Sequence, residues 1–239
     1  MKGCISRIPL FVGAFLLATF ALLSSAQAIP TITCHCFTDR SFDPVKPALA
    51  DPYFLAMTQN TLFAQLFKVD KKSVVMKKQQ GVSSDDLWIA HWVASRSGQR
   101  PESLLQAKSD KVTWQEVLAS SRLQPQIFGA GFTGALQSKA NGAVLASAVV
   151  EELLRSYRLL SEGELAALRQ AGADNQEKIL ATVIFTKTRK PASQIYREVK
   201  AGTTTWGRLL QQARIDPKNM APEVSGMLAA SSPGRKELL

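Results

Sequence analysis

The feature that most constrains the fold is a pattern of helix caps and apolar positions that occurs twice along the chain. Residues 52–97 align with 143–188 at a shift of 91, and residues 98–125 align with 190–217 at a shift of 92. Only ten of the 74 aligned pairs are identical. The argument for a repeat therefore depends on the caps and apolar positions that a shared fold requires.

N-cap residue types coincide at the aligned positions. Asp70 is paired with Ser161 and Ser83 is paired with Asp174, and all four are residue types that accept a hydrogen bond from the first turn of a helix. Ser161 is followed by Glu164 at the spacing of a capping box. Two helix starts therefore fall at the same place in both stretches.

Glycine and tryptophan also recur at aligned positions. Gly81 and Gly172 follow the predicted second helix of each stretch, where glycine is a typical helix stop. Trp114 and Trp206 open the predicted fifth helix directly after a threonine of N-cap type. We therefore interpret these residues, with Trp88 in the third helix, as structural anchors rather than as the lining of a ligand groove.

Each stretch is predicted to form five helices. In the first stretch they cover about residues 52–68, 71–79, 84–97, 101–108 and 114–121, and the second stretch has their counterparts. Apolar residues in the third helix follow the i, i+1, i+4, i+5 spacing of one buried stripe. Almost no segment alternates apolar and polar residues as a strand does. The predicted fold class is all-α, with two tandem related five-helix units packed together.

The segments outside the repeat lack strong helical periodicity. Asp51 and Pro52 are predicted to be the N-cap and first-turn proline of the first helix. The predicted domain boundaries, in chain order, are a signal peptide over 1–28, an irregular N-terminal segment over 29–50, helical unit 1 over 51–125, a mobile Gly-rich connection over 126–142, helical unit 2 over 143–217 and a mobile tail over 218–239.

The N-terminus has the three parts of a secretory signal peptide. Lys2 and Arg7 give a positive start, the run from Leu10 to Leu23 is apolar, and Ala26-Gln27-Ala28 is a cleavage pattern. An uncleaved membrane anchor is the competing interpretation, but a span needs about 20 apolar residues. The sequence predicts a periplasmic or secreted protein, cleaved near Ala28, with no transmembrane span in the mature chain.

The chain is basic, with 29 Lys or Arg against 19 Asp or Glu and a formal charge of +10. Its basic runs include Lys71-Lys72, Lys77-Lys78 and residues 187–190. Such runs are usually solvated helix faces, and in an exported protein they can also meet acidic lipid headgroups or glycans. The predicted partner is an unknown protein or an acidic component of the cell envelope.

Cys34-His35-Cys36 is the most specific chemical motif of the sequence. Outside the cytosol two thiols most simply form a structural disulfide. Two thiolates also suit Cu(I) or Zn, and a closed zinc site would then need further ligands such as His91, Asp39 or Asp43. A redox-active pair is the third interpretation, although the usual Cys-x-x-Cys spacing is absent. The three interpretations stay open.

Other motifs argue against nucleotide and nucleic-acid binding. Residues 129–134 match Gly-x-Gly-x-x-Gly, but no predicted strand runs into them, as a dinucleotide site requires. The predicted fourth and fifth helices resemble a helix-turn-helix in outline. The fifth helix of each stretch, which begins at Trp114 or Trp206, has the character of a packing helix rather than of a reader of base edges.

No constellation of catalytic side chains is evident. His91 lies between Trp88 and Trp92 on one predicted helix, which favours a partly buried histidine over a general base. The acidic pairs Asp85-Asp86 and Glu151-Glu152 are expected at helix starts or on exposed faces. The sequence therefore predicts an exported, non-catalytic binding or scaffolding protein without a bound cofactor; the alternative is a small periplasmic redox or metal-handling protein that uses the Cys-His-Cys motif.

Overall fold

This computed structural model describes residues 37–109, 111–121 and 123–231. Their regular secondary structure is helical, and no strand occurs among these residues. The α-helices there are α1 (Asp51–Phe67), α2 (Lys71–Gln79), α3 (Ser84–Ser97), α4 (Pro101–Ala107), α5 (Trp114–Ser120), α6 (Ala130–Gln137), α7 (Gly142–Ser156), α8 (Glu162–Gln170), α9 (Asn175–Thr188), α10 (Ala192–Lys200), α11 (Trp206–Gln212) and α12 (Met220–Ser231). Short 3-10 helices at Pro125–Phe128 and Pro217–Asn219 precede α6 and α12. The predicted all-α fold class is confirmed.

Side-chain caps begin the helices where the sequence predicts them. The side chains of Asp70, Ser83, Ser161 and Asp174 each accept a hydrogen bond from the backbone N–H three residues later. The capping box predicted at Ser161 does not close, because the carboxylate of Glu164 accepts hydrogen bonds from the backbone N–H and the hydroxyl of Ser193 instead. Glu164 thus connects the starts of α8 and α10.

Asp51 is not the N-cap of α1, contrary to the sequence prediction. The N-cap is Ala50, which has no side-chain cap. The carboxylate of Asp51 instead accepts hydrogen bonds from the backbone N–H groups of Trp206 (3.0 Å) and Gly207 (2.8 Å). These are first-turn groups of α11 that have no partner within their own helix. An acid at the start of one helix therefore caps another helix that lies 155 residues away along the chain.

The core brings the first half of the chain, residues 51–137, against the second half, residues 142–231. The first helix of the first half, α1, packs mainly on α9, and the first helix of the second half, α7, packs mainly on α3. The last helix of each half packs on the first helix of the other half: α6 packs on α7, and α12 packs on α1. All the described helices belong to one compact unit.

The N-terminal segment before α1 lies on the second half of the chain. A Cβ atom added at Gly207 would lie 2.7 Å from Cδ2 of Phe42 and 2.9 Å from Cε2 of Phe54, so glycine is needed for this close approach. Phe37 packs edge-on against Tyr53, with ring centroids 6.0 Å apart. The irregular segment is therefore fixed to α1 and α11 by aromatic side chains.

Two segments predicted to be mobile contain packed helices. The Gly-rich connection holds α6, where Phe128, Phe132 and Leu136 are buried at a spacing of four residues. The predicted tail holds α12, which buries three apolar side chains, Met220, Val224 and Met227. The glycines and prolines in these segments obscured short apolar stripes that are sufficient for a helix once a partner helix covers them.

Candidate functional site

Polar side chains are buried between the two halves of the chain. They lie on α1, α2, α7 and α9, and the fully or almost fully buried ones are Thr58, Gln59, Asn60, Thr61, Lys78, Glu151, Lys178 and Thr182. A buried polar group is costly unless it is hydrogen-bonded, and a buried charge requires a counter-charge. Each of these side chains therefore needs a hydrogen-bond partner or a counter-charge within the core.

A buried ion network occupies the second half. The ammonium of Lys178 donates to Oε1 of Glu151 at 2.9 Å and to the hydroxyl of Ser147 at 2.7 Å. Arg169 donates to Oε2 of Glu151 through Nη2 at 2.5 Å. Burial alone would raise the pKa of the Glu151 carboxyl, but the hydrogen bonds and charges of Arg169 and Lys178 outweigh it and hold the pKa below its usual range. Glu151 is therefore an ionised carboxylate shared by two cations.

A related contact in the first half uses a neutral acceptor. Lys78 donates to Oδ1 of Asn60 at 2.6 Å and to Oε1 of Gln59 at 3.4 Å. The same Oε1 of Gln59 also accepts a hydrogen bond from Nε2 of Gln176 at 3.1 Å. Because Gln59 lies on α1 and Gln176 lies on α9, this amide pair connects the two halves of the chain.

A groove of about 460 Å³ opens beside these contacts. It lies where α3, α7 and α9 begin, next to the middle of α1. Its lining comes from both halves and consists of Gln59, Ser84, Asp85, Asn141, Ala143, Val144, Ser147, Ala173, Asp174, Asn175 and Gln176. We call it the central groove. Its volume is within the range of small-ligand sites, and most of its lining residues carry an amide, a hydroxyl or a carboxylate.

Two acceptors in the central groove have no hydrogen-bond donor among the described residues. One is the carboxylate of Asp85, for which no hydrogen bond or ion pair is found there. Its pKa is raised by burial and by the negative charges of Asp86 and Asp174, with Lys78 acting in the opposite direction. The other is Oδ1 of Asn175, which is buried and has no partner. Of the two, only the Asp85 carboxylate is open to a ligand, because Oδ1 of Asn175 has almost no accessible surface.

Ser147 and Lys178 have the geometry of a nucleophile beside a base, but not its chemistry. The Lys178 nitrogen donates to Glu151 as well as to the Ser147 hydroxyl. An ammonium that donates in this way has no lone pair to accept the hydroxyl proton, as a general base must. The arrangement therefore suits fixing Ser147 as a hydrogen-bonding group at the edge of the groove.

Two further cavities lie at positions that the sequence alignment pairs. One, of about 530 Å³, is lined by Leu118, Leu123 and Pro125 beside α5 and α6. The other, of about 480 Å³, is lined by Leu210, Ile215 and Pro217 with Phe42 at its edge. Each is bounded by the segment that leads into the first helix of the other half.

His91 is nine-tenths buried on α3, with its ring 4.9 Å from the ring of Phe63 and 5.4 Å from that of Phe67. Burial lowers its pKa to about 4, against the raising effect of Glu102. The imidazole is therefore neutral near pH 7 and lies outside the lining of the central groove.

The residues singled out from the sequence fall in several places. Cys34, His35 and Cys36 lie outside the described residues. Trp88, Trp92, Trp114 and Trp206 are each at most 2% exposed, and the backbone at Gly81 (φ +93°) and Gly172 (φ +83°) is in the left-handed region. None of these tryptophans and glycines lines the central groove.

The expectation for one acidic pair was wrong. The sequence predicts Glu151 at a helix start or on an exposed face, but its side chain is buried within α7, with the residue 5% exposed, and belongs to the ion network. The signal that could have found this was in the alignment, because Lys178 is paired with the apolar Leu87 in the stripe of the third helix. A lysine at a core position needs a counter-charge, so a buried carboxylate is expected in the same half.

Comparison with protein-family models, curated proteins and solved structures finds no match to this chain. In the part of the chain that the structure describes, no helix combines the length and apolar character needed to cross a bilayer. The candidate site therefore has to be interpreted from its own geometry.

Proposed function

We propose that this chain is an exported, non-catalytic binding protein of the bacterial cell envelope that holds a small polar ligand in the central groove. The observation that carries the proposal is the lining of this groove by polar side chains of both halves, among them the carboxylate of Asp85, which has no partner among the described residues. Such convergent polar groups fix the orientation of a ligand in small-molecule sites. The signal-peptide pattern supports the export.

The two halves are proposed to descend from one duplicated helical unit. The bounds of α2 and α8, of α3 and α9, and of α5 and α11 differ by the alignment shifts of 91, 91 and 92 residues at both ends. The 3-10 helices and the helices that follow them, α6 and α12, also correspond approximately. This correspondence extends the repeat past residue 125, where the sequence alignment ends. The central groove then lies where equivalent helix starts meet.

The chemistry of the groove favours binding over catalysis. Its hydroxyl at Ser147 is held by an ammonium that already serves Glu151. The only imidazole among the described residues, His91, is buried elsewhere among aromatic rings. The groups that face the groove can accept or donate hydrogen bonds but are not arranged for proton transfer.

The proposed function is tested by a fragment screen on the full chain followed by amide chemical shifts. We expect binding fragments to shift the amides of residues 141–147 and 173–176. Ala143→Trp fills the groove and should abolish these shifts, whereas Ala107→Trp, on an exposed face of α4, should leave them unchanged. Shifts concentrated at another cavity, or unaffected by Ala143→Trp, would contradict the proposal.

A second candidate function uses the Cys34-His35-Cys36 motif for redox chemistry or for binding Cu or Zn. The observation in its favour is that Phe37, the residue directly after the motif, packs on Tyr53 of α1. Thiol titration and metal analysis of the protein purified from the periplasm test it. Two free thiols with stoichiometric metal would support it, and an oxidised, metal-free pair whose replacement by serine has no phenotype would overturn it.

A further inference from the structure

The free groups in the lining of the central groove include both donors and acceptors. The hydroxyl of Ser84 and the side-chain N–H groups of Asn141 and Asn175 have no acceptor among the described residues. The carboxylate of Asp85 and Oε1 of Gln176 have no donor there. A ligand that only donates or only accepts would leave part of this set unpaired, which costs free energy once water is displaced.

Two of the amides are held by one atom and keep the other atom free. Oδ1 of Asn141 accepts from the backbone N–H of Val144 at 3.1 Å, so Nδ2 is the free atom of this amide. Oε1 of Gln59 accepts from the ammonium of Lys78, which can only donate, and the atom of Gln176 that meets the same oxygen is therefore its nitrogen. Oε1 of Gln176 remains as a free acceptor. One fixed donor and one fixed acceptor thus face the same groove.

The charges around the groove do not select an ion. The carboxylates of Asp85 and Asp174 belong to the lining. The ammonium groups of Lys78 and Lys178 each donate to a residue of the same lining, and Lys78 acts on the pKa of Asp85 against the neighbouring carboxylates. Both signs of charge therefore border the groove, which favours a neutral ligand over a cation or an anion.

The apolar part of the lining is small and lies beside the polar groups. Val144 is 49% exposed, and it lines the groove next to Ala143. A sugar ring has hydroxyl groups around its edge and C–H groups on its faces, so one face can cover these two side chains while the edge meets the amides and the carboxylate. The groove volume of about 460 Å³ is within the range of small-ligand sites and admits a whole ring.

We propose that the central groove binds a sugar ring whose hydroxyl groups donate to the Asp85 carboxylate and to Oε1 of Gln176 and accept from the side-chain amides of Asn141 and Asn175. The proposal rests on the proposed function and names its ligand class. A hydroxyl group donates and accepts at once, which matches the mixed set of free groups. The same ring occurs in free sugars and in glycans, and the test distinguishes these two sources.

The test compares ring compounds that differ in their hydroxyl groups. Methyl glucoside and cyclohexanol are titrated into the full chain, and binding is followed by calorimetry and by the amide shifts of residues 141–147 and 173–176. We expect the glucoside to bind at the groove at least about tenfold more tightly, because its additional hydroxyl groups form additional hydrogen bonds. Cellotetraose is titrated in parallel: it should bind more tightly than the glucoside if the ligand is a glycan, and no more tightly if the ligand is a free sugar.

A matched pair of variants tests the free donor on α9. Asn175→Ala should weaken glucoside binding about threefold or more, because it removes a side-chain N–H group that the ligand uses. It should not lower the melting temperature, since this amide makes no hydrogen bond in the free protein. Asn219→Ala makes the same change at an exposed position outside the groove and should leave binding unchanged.

A second pair of variants at Asp85 separates hydrogen bonding from charge. Asp85→Asn removes the charge but keeps an acceptor, and should weaken glucoside binding less than about fivefold. Asp85→Leu removes the acceptor as well, and should weaken binding about tenfold or more. A cationic ligand would respond to both variants alike, because both remove its counter-charge.

The outcomes distinguish this inference from the function on which it rests. Equal losses for Asp85→Asn and Asp85→Leu would overturn the sugar ring while leaving a binding groove in place. Tighter binding of cyclohexanol at the groove, or of N-acetyl-alanine methylamide as a probe for a peptide, would do the same. Binding that shifts no groove amide, for any probe or screened fragment, would overturn both.

Discussion

The two halves of the chain have different polar groups at core positions that the alignment pairs. At three positions that the alignment pairs, the second half has Glu151, Arg169 and Lys178, and the first half has Asn60, Lys78 and Leu87. In each half a basic residue of the second helix donates to a residue of the first helix. The difference is that the second half adds a buried lysine on its third helix and has a carboxylate where the first half has an amide.

This difference shows how a buried ammonium group is compensated in a helical core. Lys78 donates to the amide of Asn60, which stands where the second half has Glu151, and its charge also interacts with the carboxylate of Asp85. Lys178 is almost completely buried, and it lies beside the one ionised acid of the network, Glu151. A buried ammonium is tolerated only with such a counter-charge, so the substitutions at positions 151 and 178 depend on each other.

The largest expected effect comes from removing the carboxylate of the second half. Glu151→Leu leaves Lys178 buried without a counter-charge, and we expect a loss of about 3–5 kcal/mol in the free energy of unfolding. Urea denaturation measures it. The double variant Glu151→Leu/Lys178→Leu should recover most of the loss, and equal stability of the single and double variants would contradict the dependence between these positions.

The two halves also differ at His91, a titratable residue that the alignment pairs with Thr182. Because burial lowers the pKa of His91 from 6.5 to about 4, the folded protein binds fewer protons there than the unfolded chain does. Its contribution to stability is therefore complete above pH 6.5 and falls as the pH drops toward 4. The gap between the two pKa values corresponds to about 3 kcal/mol at pH 4.

The measurement for His91 is a difference between variants. His91→Leu keeps the side-chain volume among Phe63 and Phe67 and does not titrate, while Glu102 and Lys77, the charged groups that face the ring, remain. Between pH 7 and pH 4 the natural protein should lose about 3 kcal/mol more than His91→Leu does. Parallel pH profiles for the two proteins would show that the imidazole is solvated.

A third contrast separates Gly207 from its paired residue Gln115. Gly207→Ala puts a Cβ atom within 3.0 Å of Phe42 and Phe54, and we expect a loss of about 1–3 kcal/mol from overpacking. Gln115→Ala removes a hydrogen bond to the carbonyl of Ala140 and should cost about 0.5–1.5 kcal/mol. Thermal unfolding compares them, and a smaller loss at Gly207 would mean that the N-terminal segment is not held against α11.

Local signals were sufficient to predict most of the helices. Asp70, Ser83 and Asp174 cap as expected because a cap depends only on the next three residues. Asp51 did not follow the rule, because its carboxylate is used by α11, which lies 155 residues away. Long-range hydrogen bonds of this kind cannot be predicted from the local pattern of a single sequence.

The residues of the central groove could not be predicted from the sequence. They come from four separate segments, and the unpartnered state of Asp85 depends on which donors the fold brings close to it. The polar residues Gln59 and Asn60 interrupt the apolar stripe of α1, which was a visible but unused signal. Which helix covers that stripe is a property of packing rather than of periodicity.

The smallest expected effect sharpens the comparison between the halves. Lys178→Leu gives the second half the residue of the first, Leu87, and Glu151 still has Arg169 as a counter-charge. We expect the free energy of unfolding to change by no more than about 1 kcal/mol, since the methylene stem is replaced by apolar volume and no charge is left unpaired. Urea midpoints at an unchanged denaturant slope measure this. A loss as large as that of Glu151→Leu would mean that Arg169 alone does not compensate the buried charge of Glu151.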